Sequence, residues 1–137
     1  MNLKVTGVLK IIPMILTMGI IFFLSHQSSY IFSLPISLFS GSDKIAHLII
    51  YCMLALSTIY AFSESFKKKY PSWVMVITAV FCLFYGLSDE FHQSFIPGRF
   101  VSIFDVAADF MGAVLGCILW VWHRKKTVKV TNCTSTG

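Results

Sequence analysis

Five of the six acidic residues, Asp43, Asp89, Glu90, Asp105 and Asp109, lie in or beside apolar runs, together with His47, His92, Gln93 and Arg99. Carboxylates and an imidazole brought together can give and take protons. An arginine fork beside them can hold a carboxylate, a phosphate or another oxyanion. Asp43, His47 and Tyr51 follow one another at helical spacing. An Asp-to-His pair on one face can fix the imidazole tautomer and make it a usable base. As an isolated feature, Asp43 also reads as an ordinary helix N-cap, because Gly41-Ser42-Asp43 directly precedes an apolar run. Metal binding would need a third converging ligand, which Glu90 or His92 offers; the dense His-Glu-x-x-His spacing is absent, and no metal or cofactor is expected.

Asp105 and Asp109 are one helical turn apart, about 6 Å along the axis. With Gly112 and Gly116 they form one stripe, with Ala108 at its edge. Small residues at that spacing let another helix come close, either within the chain or in an oligomer. Ser102-Ile103-Phe104-Asp105 has the capping-box form, so Asp105 can serve as a helix-start carboxylate. Asp109 is too deep for that role, and an ionisable group inside an apolar helix is costly unless it functions or holds helices together. Gly86, Glu90 and Gln93 share another stripe, with Asp89 beside it. Acids at a helix C-terminus oppose the helix dipole, which makes the nearby Arg99 their expected partner, or else a phosphate holder. The candidate site is therefore Asp43, His47, Glu90, Gln93, Arg99, Asp105 and Asp109.

These residues need a scaffold, and composition says which. Of 137 residues, 56% are hydrophobic and 12% charged, with thirteen Phe and six Met; mean hydropathy is +0.77. Soluble domains carry about 25% charged residues, so this chain cannot cover a water-facing globule. A disordered chain, a coiled coil and a collagen-like repeat are excluded too. The formal charge of +5 does not mark a nucleic-acid binder, because its positive residues flank apolar runs. Four runs, at about 5–24, 45–62, 73–90 and 103–123, are long enough to cross a bilayer as helices. The expected architecture is a single all-α membrane domain of four transmembrane helices with a short tail over 124–137. No small-x-small cleavage site follows Leu24, so the first run reads as a span and not a signal peptide.

Lys4, Lys10, Lys67, Lys68, Lys69, Arg124, Lys125, Lys126 and Lys129 fall on one side of that arrangement, and only Lys44 and Arg99 on the other. By the positive-inside rule both termini and the Lys67–Lys69 loop face the cytoplasm, and the acidic cluster faces outward. Segment 27–41, broken by Pro35, reads as an interfacial or re-entrant lid. His26 and His123 read as interfacial histidines without a role. Cys52, Cys82 and Cys117 read as small buried hydrophobes, and the Asn132-Cys133-Thr134 sequon would lie on the cytoplasmic side.

The ordered set Ser25-His26-Gln27-Ser28, Asp43-Lys44-Ile45-Ala46-His47 with Tyr51, Tyr85-Gly86-Leu87-Ser88-Asp89-Glu90-Phe91-His92-Gln93, Pro97-Gly98-Arg99, Asp105, Asp109, Gly112 and Gly116 resembles the VanZ-like family of bacterial membrane proteins. The resemblance covers roughly residues 25–122. It implies a multi-pass protein of the bacterial cell membrane, associated with resistance to teicoplanin-type glycopeptides, without naming a reaction. Three functions fit. The chain acts on a lipid-linked cell-wall precursor at the outer leaflet; or it binds such a lipid or lipoglycopeptide without catalysis; or, most weakly, it is a small proton-coupled exporter. The exporter lacks an acid in the cytoplasmic half of any span.

Overall fold

The computed structural model describes residues 7–26, 42–99 and 101–134, with the side chains of 42, 43 and 127–134 left out. The proposed lid over 27–41 and the side chain of Asp43 therefore lie outside the described residues. Five helices carry the described chain: α1 (Ile12–Ser25), α2 (Ser42–Ala61), α3 (Glu64–Lys69), α4 (Pro71–Gln93) and α5 (Ile103–Thr134). Four helical segments, Gly7–Ser25, Lys44–Ala61, Pro71–Gln93 and Ile103–Lys126, are long and apolar enough to cross a membrane. There is no strand among the described residues. The chain is an all-α multi-pass membrane protein.

Each long helix buries one stripe and turns apolar side chains outward. On α1 the buried residues are Thr17, Ile21 and Ser25, four apart. On α4 they are Val74, Thr78, Cys82, Gly86 and Glu90, with Asp89 and Gln93 alongside. Both stripes run from apolar or small residues to polar ones at the helix C-terminus. Ile20, Phe23, Met53, Phe84, Met111 and Ile118 point away from the bundle. That is the pattern of helices whose surroundings are lipid, where an apolar exterior costs nothing.

Pairs of contacts give the helix directions. Lys44 meets Asp105 and His47 meets Asp109, so α2 and α5 run parallel. The Tyr85 hydroxyl donates to the Met18 carbonyl and Ser25 to Asp89, so α1 and α4 also run parallel. Gly86 lies against Asp109, while Cys117 reaches the Met75 carbonyl; α4 and α5 are antiparallel. This is an up-down-up-down bundle. The α2–α5 pair is its tightest seam. A Cβ on Gly112 would collide with the Leu48 carbonyl, and one on Gly116 would lie 2.9 Å from the Cys52 carbonyl oxygen and 2.8 Å from Ala55 Cβ. The small-residue stripe is used inside the chain.

Three elements depart from the sequence reading. Lys67–Lys69 are helical, not loop: Ser63 caps α3 by accepting from the Phe66 N–H at 3.3 Å, with Glu64 in its first turn and three lysines in its last. That charge order complements the helix dipole. The α5 helix continues past His123 to Thr134, since no Gly or Pro interrupts it. At its other end the capping box does not form: the Asp105 N–H donates to the Ser102 backbone carbonyl at 2.9 Å and not to its side chain. The Ser102 N–H donates to Glu90 Oε2 at 2.9 Å, leaving Asp105 to face Lys44.

Candidate functional site

Every buried acidic residue among those described lies at one end of the bundle, where α2 begins, α1 and α4 finish, and α5 starts, while the buried Lys67 lies at the other. Asp89, Glu90, Asp105 and Asp109 are all buried there. Asp109 is wedged between α2 and α4: its Oδ1 is 2.8 Å from His47 Nδ1. Its Oδ2 sits where a Cβ on Gly86 would come within 2.9 Å. Glycine at 86 is thus what admits the carboxylate. Three residues before His47, Lys44 Nζ is 3.5 Å from Asp105 Oδ1, without hydrogen-bond alignment. Two basic side chains of α2 thereby meet two acids of α5 in register.

Asp89 belongs to a second network. Its Oδ2 accepts from Ser25 Oγ at 2.8 Å and from Gln93 Nε2 at 3.0 Å, and Gln93 Nε2 also lies 3.3 Å from Ser25 Oγ. A hydroxyl and an amide so tie the end of α1 to the end of α4. Beside them His26 Nδ1 lies 3.4 Å from His92 Nε2, with the rings stacked next to Phe22. His26 is therefore part of the α1–α4 contact. His92 points away from His47, and among the described residues no three His, Cys, Asp or Glu side chains converge to hold a metal.

Between these networks is a cavity of about 270 Å³, lined by Ile21, Leu24 and Ser25 of α1, Ala46, His47, Ile50 and Tyr51 of α2, Asp89 and Gln93 of α4, and Arg99. Arg99 is carried to it by a turn over Ile96–Arg99. The Arg99 N–H donates to the Ile96 carbonyl at 3.1 Å, and Gly98 has φ 81°. Pro at the second position and a positive φ at the third make a type II turn, which favours glycine there. Arg99 Nη2 reaches the Leu24 carbonyl at 3.4 Å. The pairing of Arg99 with Asp89 or Glu90 suggested by sequence is replaced: Asp89 is held by Ser25 and Gln93, Glu90 by the Ser102 N–H, and neither enters an ion pair among the described residues.

The site is not fully satisfied internally. Among the described residues, Glu90 Oε1, Asp109 Oδ2 and the Tyr51 hydroxyl are buried and find no hydrogen-bond partner. Glu90 also lies within electrostatic reach of Asp105, Asp109 and His47. Buried polar atoms left without partners cost about 1–3 kcal/mol each, so this end of the bundle favours a polar ligand or water beside it. Chemically, the His47–Asp109 pair is the most capable element. With Nδ1–H donating to Asp109, the tautomer is fixed and Nε2 becomes the acceptor.

Of the residues expected from sequence, His47, Gln93 and Arg99 share the cavity, His47 and Asp109 form a pair, and Glu90 and Asp105 back them in the adjoining layer. Sequence reasoning left out Ser25, Lys44 and Asp89 as site members. The i,i+4 spacing of Asp89 and Gln93 was a usable signal; no local signal marked the α1 partner of Asp89.

The sequence pattern of the VanZ/LLP1 family matches residues 9–124, which takes in every one of these groups. The chain belongs to the VanZ/LLP1 family. It is also 28% identical over 90 residues, 65% of its length, to a protein of the fission yeast Schizosaccharomyces pombe described as "Uncharacterized protein C11E3.10". That match takes in 53% of the relative, so the chain spans about half the length of the curated protein it resembles. No solved structure matches it.

Proposed function

We propose that this VanZ/LLP1 protein resides in the bacterial cell membrane with its carboxylate end outward, and that its cavity receives the phosphate end of a lipid-linked envelope precursor from the outer leaflet. Resistance to teicoplanin-type glycopeptides would follow from that engagement. The observation that carries the reading is the two-faced cavity. Ile21, Leu24, Ala46 and Ile50 suit a lipid stem, while His47, Gln93 and Arg99 suit a polar head. A guanidinium and an imidazole are natural phosphate ligands. At about 30 Å³ per water, the cavity has room for a compact head only, so a large saccharide or peptide would remain outside. The His47–Asp109 pair adds a base, which makes a proton-transfer step on the bound head available.

The nine-to-two split of Lys and Arg supports the orientation. Lys10, Lys67 and Arg124 do gather at one end, opposite the cavity. The fungal relative favours a lipid phosphate present in both bacterial and fungal membranes over a ligand confined to bacterial walls. The exporter reading gains no support, because the carboxylates of the spans all sit at one end.

The test is lipid-dependent thermal stabilisation of the purified protein in detergent. Polyprenyl phosphate should raise the melting temperature of the parent, and Arg99→Ala should remove that rise while lowering the lipid-free melting temperature little. An Arg99→Ala protein that keeps the full lipid shift, or a parent with none, would end the phosphate reading. For the orientation, a cysteine placed at Ser94 should be labelled from outside intact cells, and one at Thr131 should not.

A further inference from the structure

Among the described residues, Asp89 is the buried carboxylate that lines the cavity, and it differs from its neighbours in its company. Asp105 faces Lys44 and Asp109 faces His47. Asp89 accepts only from the neutral Ser25 hydroxyl and Gln93 amide, both on Oδ2, and the ion pairs among the described residues leave it out. A carboxylate beside apolar walls and without a cation is costly. Ser25 and Gln93 aim it into the cavity but do not neutralise it. Arg99 and His47 line the same cavity and suit an anion. A headgroup filling this space therefore meets the Arg99 guanidinium, the His47 imidazole and a carboxylate held only by neutral donors.

We infer that the preferred ligand is a lipid whose head joins a phosphate to a primary ammonium, the phosphate held by Arg99 and His47 and the ammonium by Asp89. The inference rests on the lipid-phosphate reading above and narrows it. A primary ammonium offers three N–H donors to Asp89. A trimethylammonium offers none and needs an aromatic cage, whereas among the described residues Tyr51 is the one Phe, Tyr or Trp ring lining the cavity. A phosphate, a two-carbon link and an ammonium make a head compact enough for about 270 Å³. Two sources carry this chemistry, an ethanolamine glycerophospholipid of the bilayer and a polyprenyl phosphate bearing an amino sugar with a free amine.

The experiment is a titration of the full chain in detergent, followed by native mass spectrometry, with dioleoyl phosphatidylethanolamine, its mono-, di- and trimethylated forms, and phosphatidylglycerol. Affinity should fall stepwise with methylation, by about tenfold from the primary amine to the trimethyl form, the scale of one charge-assisted hydrogen bond. Phosphatidylglycerol should bind no better than the trimethyl form. Asp89→Asn should level the series while keeping phosphate-dependent binding. Equal binding of all heads by the parent, or an undiminished series in Asp89→Asn, would overturn the inference and leave the lipid-phosphate reading standing. Absence of binding by any phosphate lipid, polyprenyl phosphate included, would overturn both. The methylation series on the parent decides the matter even where Asp89→Asn fails to fold. A glucosamine-linked polyprenyl phosphate run beside it assigns the source: tighter binding than the ethanolamine lipid points to the precursor, weaker binding to the bilayer lipid, and the ammonium preference is common to both.

Discussion

At the lysine-rich end of the bundle, Glu64 Oε1 lies 2.8 Å from Lys67 Nζ and 3.1 Å from Lys10 Nζ, with the Glu64 side chain 63% exposed. At the opposite end, Asp109 lies 2.8 Å from His47 with 1% of its side chain exposed. The distances match; the surroundings do not. Around Glu64, water can replace either lysine, and Lys10 has a further resting place over the Tyr60 ring, 5.6 Å from its centroid. Around Asp109, no second donor replaces His47 among the described residues, and its Oδ2 is buried without one. Charge at the first end fixes how the helices meet the membrane surface. Charge at the second is kept at a cost, which is the mark of a site.

The largest effect should come from the helix seam beneath the carboxylate end. Gly112 is less than one turn from Asp109, and its position leaves no space for a Cβ against the Leu48 carbonyl. Gly112→Leu must push α2 from α5 and separate Lys44 and His47 from their acids. Overpacking against backbone costs at least about 1–3 kcal/mol, and loss of the paired charges adds to it. We expect the variant to lose most of its folded protein in detergent-resistance or melting assays. Gly19→Leu is the control, because nothing lies within 4 Å of a Cβ there; it should accumulate normally. Equal tolerance of both substitutions would mean the seam does not hold the carboxylate end together.

Next in size is the buried pair itself. Leaving a buried charged or polar group without its hydrogen-bond partner costs about 1–3 kcal/mol or more, whereas replacing both partners with apolar groups restores much of the loss. Asp109→Leu and His47→Leu should each lower the melting temperature strongly, and the double variant should melt above either single one. Additive losses would show that the two residues do not act as a pair.

The fold was legible because its cause is local. Runs of about twenty apolar residues, Lys and Arg at alternate gaps, and glycines at helical spacing are all visible within one segment, and the seam at Gly112 and Gly116 lies where the stripe predicted. The site was legible only in its members. That Asp105, Asp109, His47 and Glu90 gather at one end follows from span order, but which acid meets which base depends on helix rotation and register. Thus His47 pairs with Asp109, 62 residues away, and Arg99 is carried by its turn to the Leu24 carbonyl and the cavity, while Ser25 and Gln93 hold Asp89. The helix start at Ile103 lies where the sequence puts it, but its capping partner depends on another helix: the Ser102 N–H donates to Glu90 and not to Asp105.

The smallest effect should be at Glu64, and it tests the contrast from the other side. Hydrogen bonds from Lys67 and then Lys10 hold its carboxyl below the usual glutamate range. A depressed folded value means that the stabilisation is present above the unfolded glutamate range and is lost as pH falls through the folded value. Glu64→Gln should therefore cost about 0.2–1 kcal/mol near neutral pH, the usual worth of an exposed pair. The difference from the parent should shrink toward zero below about pH 4. It should also shrink in high salt, since exposed charges are screened within a few ångströms at molar ionic strength. The readout is the difference between the two melting curves at each pH and not either curve alone, so that contributions common to both proteins cancel. A Glu64→Gln loss as large as that of Asp109→Leu, or one indifferent to salt, would show that the lysine-rich end is as enclosed as the carboxylate end. Burial would then no longer distinguish the two ends.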